Sequence, residues 1–140
     1  GFVAGSLSVE TALLKSTLLS GYIPVIAPVA IDSSQPSQLL NVNADTAAGA
    51  IATALGVDQL VFLTDVNGIL DSNGRLLDRV PLASAEGLVH SGVVKGGMVP
   101  KLEACLEGRR AGAKASIING TVPGALISCV DGLSSGTSVV

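Results

Sequence analysis

Two runs decide the fold: Ala44-Asp45-Thr46-Ala47-Ala48-Gly49-Ala50-Ile51-Ala52-Thr53-Ala54-Leu55-Gly56 and, shortly after it, Gln59-Leu60-Val61-Phe62-Leu63-Thr64. The first predicts a helix over Ala44 to Leu55 built almost wholly from small residues, closed by Gly56, since glycine readily takes the left-handed conformation that ends helices. The second predicts a continuous apolar strand without polar alternation, the pattern of a strand buried in a parallel sheet. Small side chains let a helix approach a sheet closely. The composition calls for that: 48% of residues are apolar but only 2% are aromatic.

Outward from this pair, helices are predicted over Ser8 to Leu19, ended by Ser20-Gly21, then Ala83 to His90, Pro100 to Ala111 and Pro123 to Cys129. The β-rich run Tyr22 to Val29 carries two prolines that suit an exposed edge or strand end. Ala115 to Ile118 reads as a strand and Thr137 to Val140 as a final edge strand. Asp32 to Gln38 is a polar loop, and Asp71-Ser72-Asn73-Gly74-Arg75 carries the Asn-Gly signal of a tight hairpin. Strands alternating with helices imply an α/β fold, a three-layer sandwich around a largely parallel central sheet.

At 140 residues the chain suits one domain with an ordinary core. A net charge of −3 with scattered Lys and Arg argues against a nucleic-acid partner. No apolar run is long enough to span a bilayer, and no basic n-region opens the chain. Cys105 and Cys129 are too few for a disulfide scaffold and lack metal-ligand spacing, so a reducing compartment is the default. The sequon Asn119-Gly120-Thr121 reads as chance. Gly1-Phe2-Val3-Ala4-Gly5, without an initiator Met or a polar tail, reads as the middle of something longer.

Three segments carry candidate chemistry. Asn41-Val42-Asn43-Ala44-Asp45 places three short polar side chains at a helix start. Asp45, with Thr46 in support, suits the cap, because its oxygens can satisfy free backbone N–H groups. One cap suffices, and strand alternation turns Asn41 and Asn43 to one side. Two amides and a carboxylate are thus expected to converge on a polar ligand. Next, the strand ending at Thr64 delivers Asp65-Val66-Asn67-Gly68-Ile69-Leu70 to the carboxyl edge, where open α/β sheets bind ligands. Asp65 suits a ribose hydroxyl, a metal or a phosphate-bound water, and Gly68 lets the backbone approach a ligand. An ordinary turn uses the same residue types.

The third segment is Gly92-Val93-Val94-Lys95-Gly96-Gly97-Met98-Val99-Pro100-Lys101. Glycine-rich backbone ahead of a helix presents N–H donors to anions. Lys101 opposes the helix dipole by a few tenths to about 1 kcal/mol, which makes sense if its ammonium serves a phosphate. The Walker A spacing is absent. His90 suits a helix end, Cys105 suits packing, and Arg109 and Arg110 suit a solvated helix terminus.

In order and spacing these segments resemble the amino-acid kinase family, and within it the branch that phosphorylates N-acetylglutamate. The carriers are Asn41 to Ala50, Leu63 to Asp71 and Gly96 to Ala104. The likeness spans nearly all of residues 1–140 but corresponds to the carboxyl-terminal, ATP-binding portion of such an enzyme, the amino-terminal substrate-binding half being absent. It implies transfer from ATP to the side-chain carboxylate of N-acetylglutamate in arginine biosynthesis, with Mg2+ held mainly by the nucleotide and no metal ligand in the chain. It also implies a homo-oligomer acting in the cytoplasm, or in an organellar stroma or matrix.

By the same resemblance Lys101 stabilises the transferring phosphoryl group and Asp45 orients the catalytic lysines. Asn41 and Asn43 hold the acyl amino acid. Asp65, Val66, Asn67, Gly68, Ile69 and Leu70 contact the nucleotide, as do Val93, Val94, Lys95, Gly96 and Gly97. Such roles suit in-line phosphoryl transfer, which needs positioned cations and donors more than covalent help. Two departures matter. The missing half carries a second lysine and phosphate-binding glycines, so this chain alone is not expected to turn over. Gly124 stands where arginine-inhibited relatives have a His, and the acidic residue they carry near Cys129 is missing, so no bidentate guanidinium pair is expected. A kinase for another acylated amino acid, such as a carrier-linked aminoadipate, and a non-catalytic nucleotide-binding module fit the same residues.

Overall fold

The structure, a computed structural model, describes residues 7–133 and 136–140; the opening pentapeptide lies outside them. The elements are α1 (Ala12–Leu19), β1 (Val29–Ile31), β2 (Leu39–Asn41), α2 (Ala44–Leu55), β3 (Gln59–Thr64), β4 (Arg79–Val80), α3 (Leu82–His90), α4 (Met98–Arg110), β5 (Lys114–Asn119), α5 (Ala125–Val130) and β6 (Thr137–Val139).

The two deciding runs fold with the bounds their sequence predicts. Gly56 closes α2 at φ 65, and its N–H reaches back to the Ala52 carbonyl. β3 pairs in parallel with β5, from Gln59 opposite Lys114 to Thr64 opposite Asn119. The main sheet runs β3-β5-β6-β4, with β4 parallel to β6 and β5 antiparallel to β6. β1 and β2 form a separate antiparallel hairpin around the Asp32–Gln38 loop.

Close approach sets the layers. A Cβ on Gly49 of α2 would lie 2.9 Å from Ala104 Cβ of α4, and one on Gly108 would lie 3.0 Å from Leu60 of β3. Leu60 and Phe62 are buried under α2 and α4 with Ala52, Leu102 and Cys105. On the other sheet face Val61 and Ser116 share a cavity with Cys129 of α5. The result is the expected α/β sandwich, with a sheet parallel in two of its three pairings.

Three expectations change. Of Tyr22 to Val29 only Val29 enters a strand: Pro28 O still accepts from Val42 N–H at 3.0 Å, but no strand among the described residues pairs with the residues before it, and Tyr22, Ile23 and Val25 are exposed. β6 is interior, not an edge strand, because the unpredicted two-residue β4 takes the edge beside it. Asn43, not Asp45, caps α2: in extended conformation, its Oδ1 accepts the N–H groups of Asp45 at 2.9 Å and Thr46 at 3.1 Å. Among the described residues no helix is long and apolar enough to cross a membrane.

Candidate active site

Chain direction brings the candidate residues together. α2 leads through Gly56 into the start of β3, and α4 leads into the start of β5, where Lys114 N–H donates to Asp58 O at 2.8 Å. Each helix therefore runs back along its strand, so the amino-terminal ends of α2 and α4 lie over the carboxyl ends of β3 and β5. Two helix dipoles then point their positive ends at one edge of the sheet, the edge where open α/β folds take ligands.

Lys101 and Asp45 meet there. Lys101 Nζ donates to both carboxylate oxygens of Asp45, at 2.9 Å to Oδ1 and 2.8 Å to Oδ2, with side chains only 20% and 17% exposed. The ammonium also sits 6.0 Å from the centroid of the Phe62 ring. An ion pair this enclosed gains little net stability, because desolvation opposes the attraction. It does fix the position of a positive charge. Asn43 makes the arrangement possible: by taking the cap it leaves the Asp45 carboxylate free for Lys101. Beneath the pair, burial and then the negative charge of Asp45 push the Cys105 thiol up to about 12.

The structure places the other candidates unequally. Asn41, at the end of β2, and Asn43 are both exposed with half-buried Val42 between them, as alternation requires. The oxygen of Asn43 is committed to the helix, which leaves its NH2 for a ligand. Asp65, Val66 and Asn67 are exposed at the carboxyl end of β3, as is Leu70. Gly68 and Ile69 are not. At φ 141 Gly68 packs so tightly that a Cβ would lie 2.6 Å from Thr137 Oγ1, so its glycine serves contact with β6. Ile69 is core; its N–H donates to Thr137 Oγ1 at 2.8 Å and its carbonyl accepts from Leu77 N at 2.8 Å. Val94 is also core, whereas Val93 is half-buried and Lys95, Gly96 and Gly97 are exposed ahead of α4.

Sequence reasoning missed Asn119, dismissed there as part of a chance sequon. At the end of β5 its Nδ2 donates to Asn67 Oδ1 at 2.9 Å, and its Oδ1 accepts from Thr121. The only advance signal is that a polar residue ending a parallel strand must face the same edge as its neighbour. His90 is structural, as expected: Nδ1 bonds to Glu86 O at 2.8 Å. No group of three or more His, Cys, Asp or Glu among the described residues could hold a metal.

A largely parallel α/β sheet thus carries two helix amino termini, a lysine and its carboxylate at one edge. The amino acid kinase family model matches residues 1–119, and the chain belongs to that family. The acetylglutamate kinase of Acidiphilium cryptum is 44% identical over 128 residues, covering 91% of this chain and 42% of the relative. The chain spans less than half the length of the curated relatives it matches. Two solved structures share the fold. The N-acetylglutamate synthase of Neisseria gonorrhoeae complexed with coenzyme A and L-arginine superimposes with a TM-score of 0.87 at 22% identity, covering 100% of this chain and 32% of that one. Giardia lamblia carbamate kinase bound to AMP-PNP gives 0.71 at 21%, covering 96% and 45%.

Proposed function

We propose that this chain is the carboxyl-terminal, ATP-binding portion of an acetylglutamate kinase, and that the whole protein transfers the terminal phosphoryl group of ATP to the side-chain carboxylate of N-acetylglutamate. The observation that carries the reading is the Lys101–Asp45 pair at the carboxyl edge of β3 and β5, in a chain 44% identical to a curated acetylglutamate kinase. Phosphoryl transfer spreads negative charge over the equatorial oxygens, and a fixed cation there lowers the barrier without reorganising. Lys101 supplies that cation. Asp45 holds the ammonium in place, so it is a positioning residue. The helix amino termini of α2 and α4 add partial positive charge. Asp65 to Asn67, Val93 and Lys95 to Gly97 border the nucleotide, and the outward amides of Asn41 and Asn43 face the acyl amino acid. Mg2+ arrives with the nucleotide and neutralises its phosphates. The protein works in arginine biosynthesis in the cytoplasm, as a homo-oligomer, and residues 1–140 are inactive alone.

Lys101→Ala in the full-length protein is expected to cut kcat by about 10²–10³-fold, the usual effect of losing a charge-stabilising group. Coupled ATP consumption with N-acetylglutamate measures it; activity within twofold of wild type refutes the assignment. A second reading, a kinase-like module serving another catalytic domain, is favoured by the likeness to the Neisseria synthase. Under that reading Lys101→Ala leaves activity unchanged.

We further propose that arginine does not inhibit through the Cys129 surface. The cavity of about 420 Å³ beside Cys129 is lined by Arg79, Arg109 and Lys114 and, among the described residues, by no Asp or Glu side chain, so it offers a guanidinium no side-chain carboxylate. Sigmoidal inhibition by millimolar arginine overturns this.

A further inference from the structure

The carboxyl ends of β3 and β5 are joined by a relay of side chains. Thr121 N–H donates to Asn119 Oδ1 at 2.9 Å, and the Thr121 hydroxyl donates to the same atom at 2.6 Å. A backbone N–H can only donate, so the amide atom it meets must be the oxygen. Asn119 therefore points its NH2 the other way, and Nδ2 donates to Asn67 Oδ1 at 2.9 Å. The same logic passes along. With its oxygen taken, exposed Asn67 turns its own NH2 outward. The frame behind the relay is held by pairing: Thr64 lies opposite Asn119, and Gly120 N–H donates to Thr64 O at 2.8 Å.

A turn alone needs no such relay. An aspartate at position 119 would accept from Thr121 equally well. An amide differs from a carboxylate only in the onward bond to Asn67. We infer that Asn119, set by the backbone of Thr121, is a positioning residue that fixes Asn67 as a hydrogen-bond donor to an acceptor oxygen of the bound nucleotide, on a phosphate or on the ribose. The inference rests on the nucleotide reading of the segment after β3. It goes beyond that reading by giving Asn67 a polarity and Asn119 a role.

Asn119→Asp is the sharpest test. The carboxylate keeps both Thr121 bonds but has no proton for Asn67. Asn67 then rotates, turning its NH2 inward and presenting its oxygen to the oxygens of the nucleotide. ATP and adenosine binding to the full-length protein are measured by calorimetry for wild type, Asn119→Asp, Asn67→Ala, the double variant and Lys101→Ala. Asn119→Asp is expected to weaken ATP binding roughly tenfold, the effect of one hydrogen bond to a charged acceptor, with an unchanged melting temperature. In the Asn67→Ala background the same change should add nothing. Loss confined to ATP places the acceptor on a phosphate; loss shared by adenosine places it on the ribose. Wild-type affinity in Asn119→Asp overturns the inference. So does an undiminished effect in the Asn67→Ala background, the mark of simple charge repulsion or turn damage. If Lys101→Ala weakens ATP binding while Asn119→Asp does not, the relay alone falls. A wild-type protein that binds no ATP takes the nucleotide reading down with it.

Discussion

Residues 7–42 and residues 43–133 are both rich in Val, Leu and Ile, yet only the second supplies buried core residues. In the second region Leu102, Ile117 and Ile118 are 0% exposed, whereas in the first Leu19, Ile23 and Val25 are 90%, 89% and 96% exposed. The difference lies in facing layers, not in hydropathy. Gly49, Ala104 and Gly108 let α2, α4 and the sheet close on each other. The stretch from Pro24 to Ala27 has no strand paired with it among the described residues and stands across an apolar groove of about 320 Å³ from α2 and the start of β3. Apolar residues create a demand for burial; only a partner surface of matching shape meets it.

The largest expected effect tests that contrast directly. Leu102→Ala should lower unfolding free energy by about 2–5 kcal/mol, as in a packed core, and Val25→Ala by less than about 0.5 kcal/mol, as on a surface. Equal shifts in paired urea melts would break the comparison. Two glycines sharpen it at finer scale. Gly49→Ala forces a methyl into Ala104 and should destabilise by about 1–3 kcal/mol. Gly87→Ala in α3 meets open space and should stabilise by about 0.5–1 kcal/mol through helix propensity. The smallest effect is chemical. With its proton held up to about pH 12, Cys105 should resist thiol reagents at pH 8 while half-buried Cys129 reacts. Its raised value adds stability that is whole below the unfolded thiol range near 9 and is lost as pH climbs toward 12. A count of two reactive thiols in the folded chain would contradict that burial.

Local signals explain what the sequence disclosed. α2 and β3 were legible because small-residue content, an uninterrupted apolar run and Gly56 all report on neighbours close in sequence. The pairing of Asp45 with Lys101 was expected only through family resemblance, since the two lie on different helices. β4 left no trace, because two residues before Pro81 show no period. Cap choice was misread: Asn43 and Asp45 are chemically equivalent candidates, and only the ion pair with Lys101 breaks the tie. Asn119 stayed hidden because its partner, Asn67, is contributed by the loop that follows another strand, β3, and no periodicity encodes a bond across that gap.

β3 closes one side of the main sheet with an apolar strand and no neighbour beyond it among the described residues. Its outward amides and carbonyls form a bare hydrogen-bonding margin with neither lysine nor proline to blunt it. Such a margin is a template: prepared in isolation at high concentration, copies of this chain are expected to add strand to strand and drift into aggregates. A lysine in place of Leu63, half exposed on that strand, is the economical remedy.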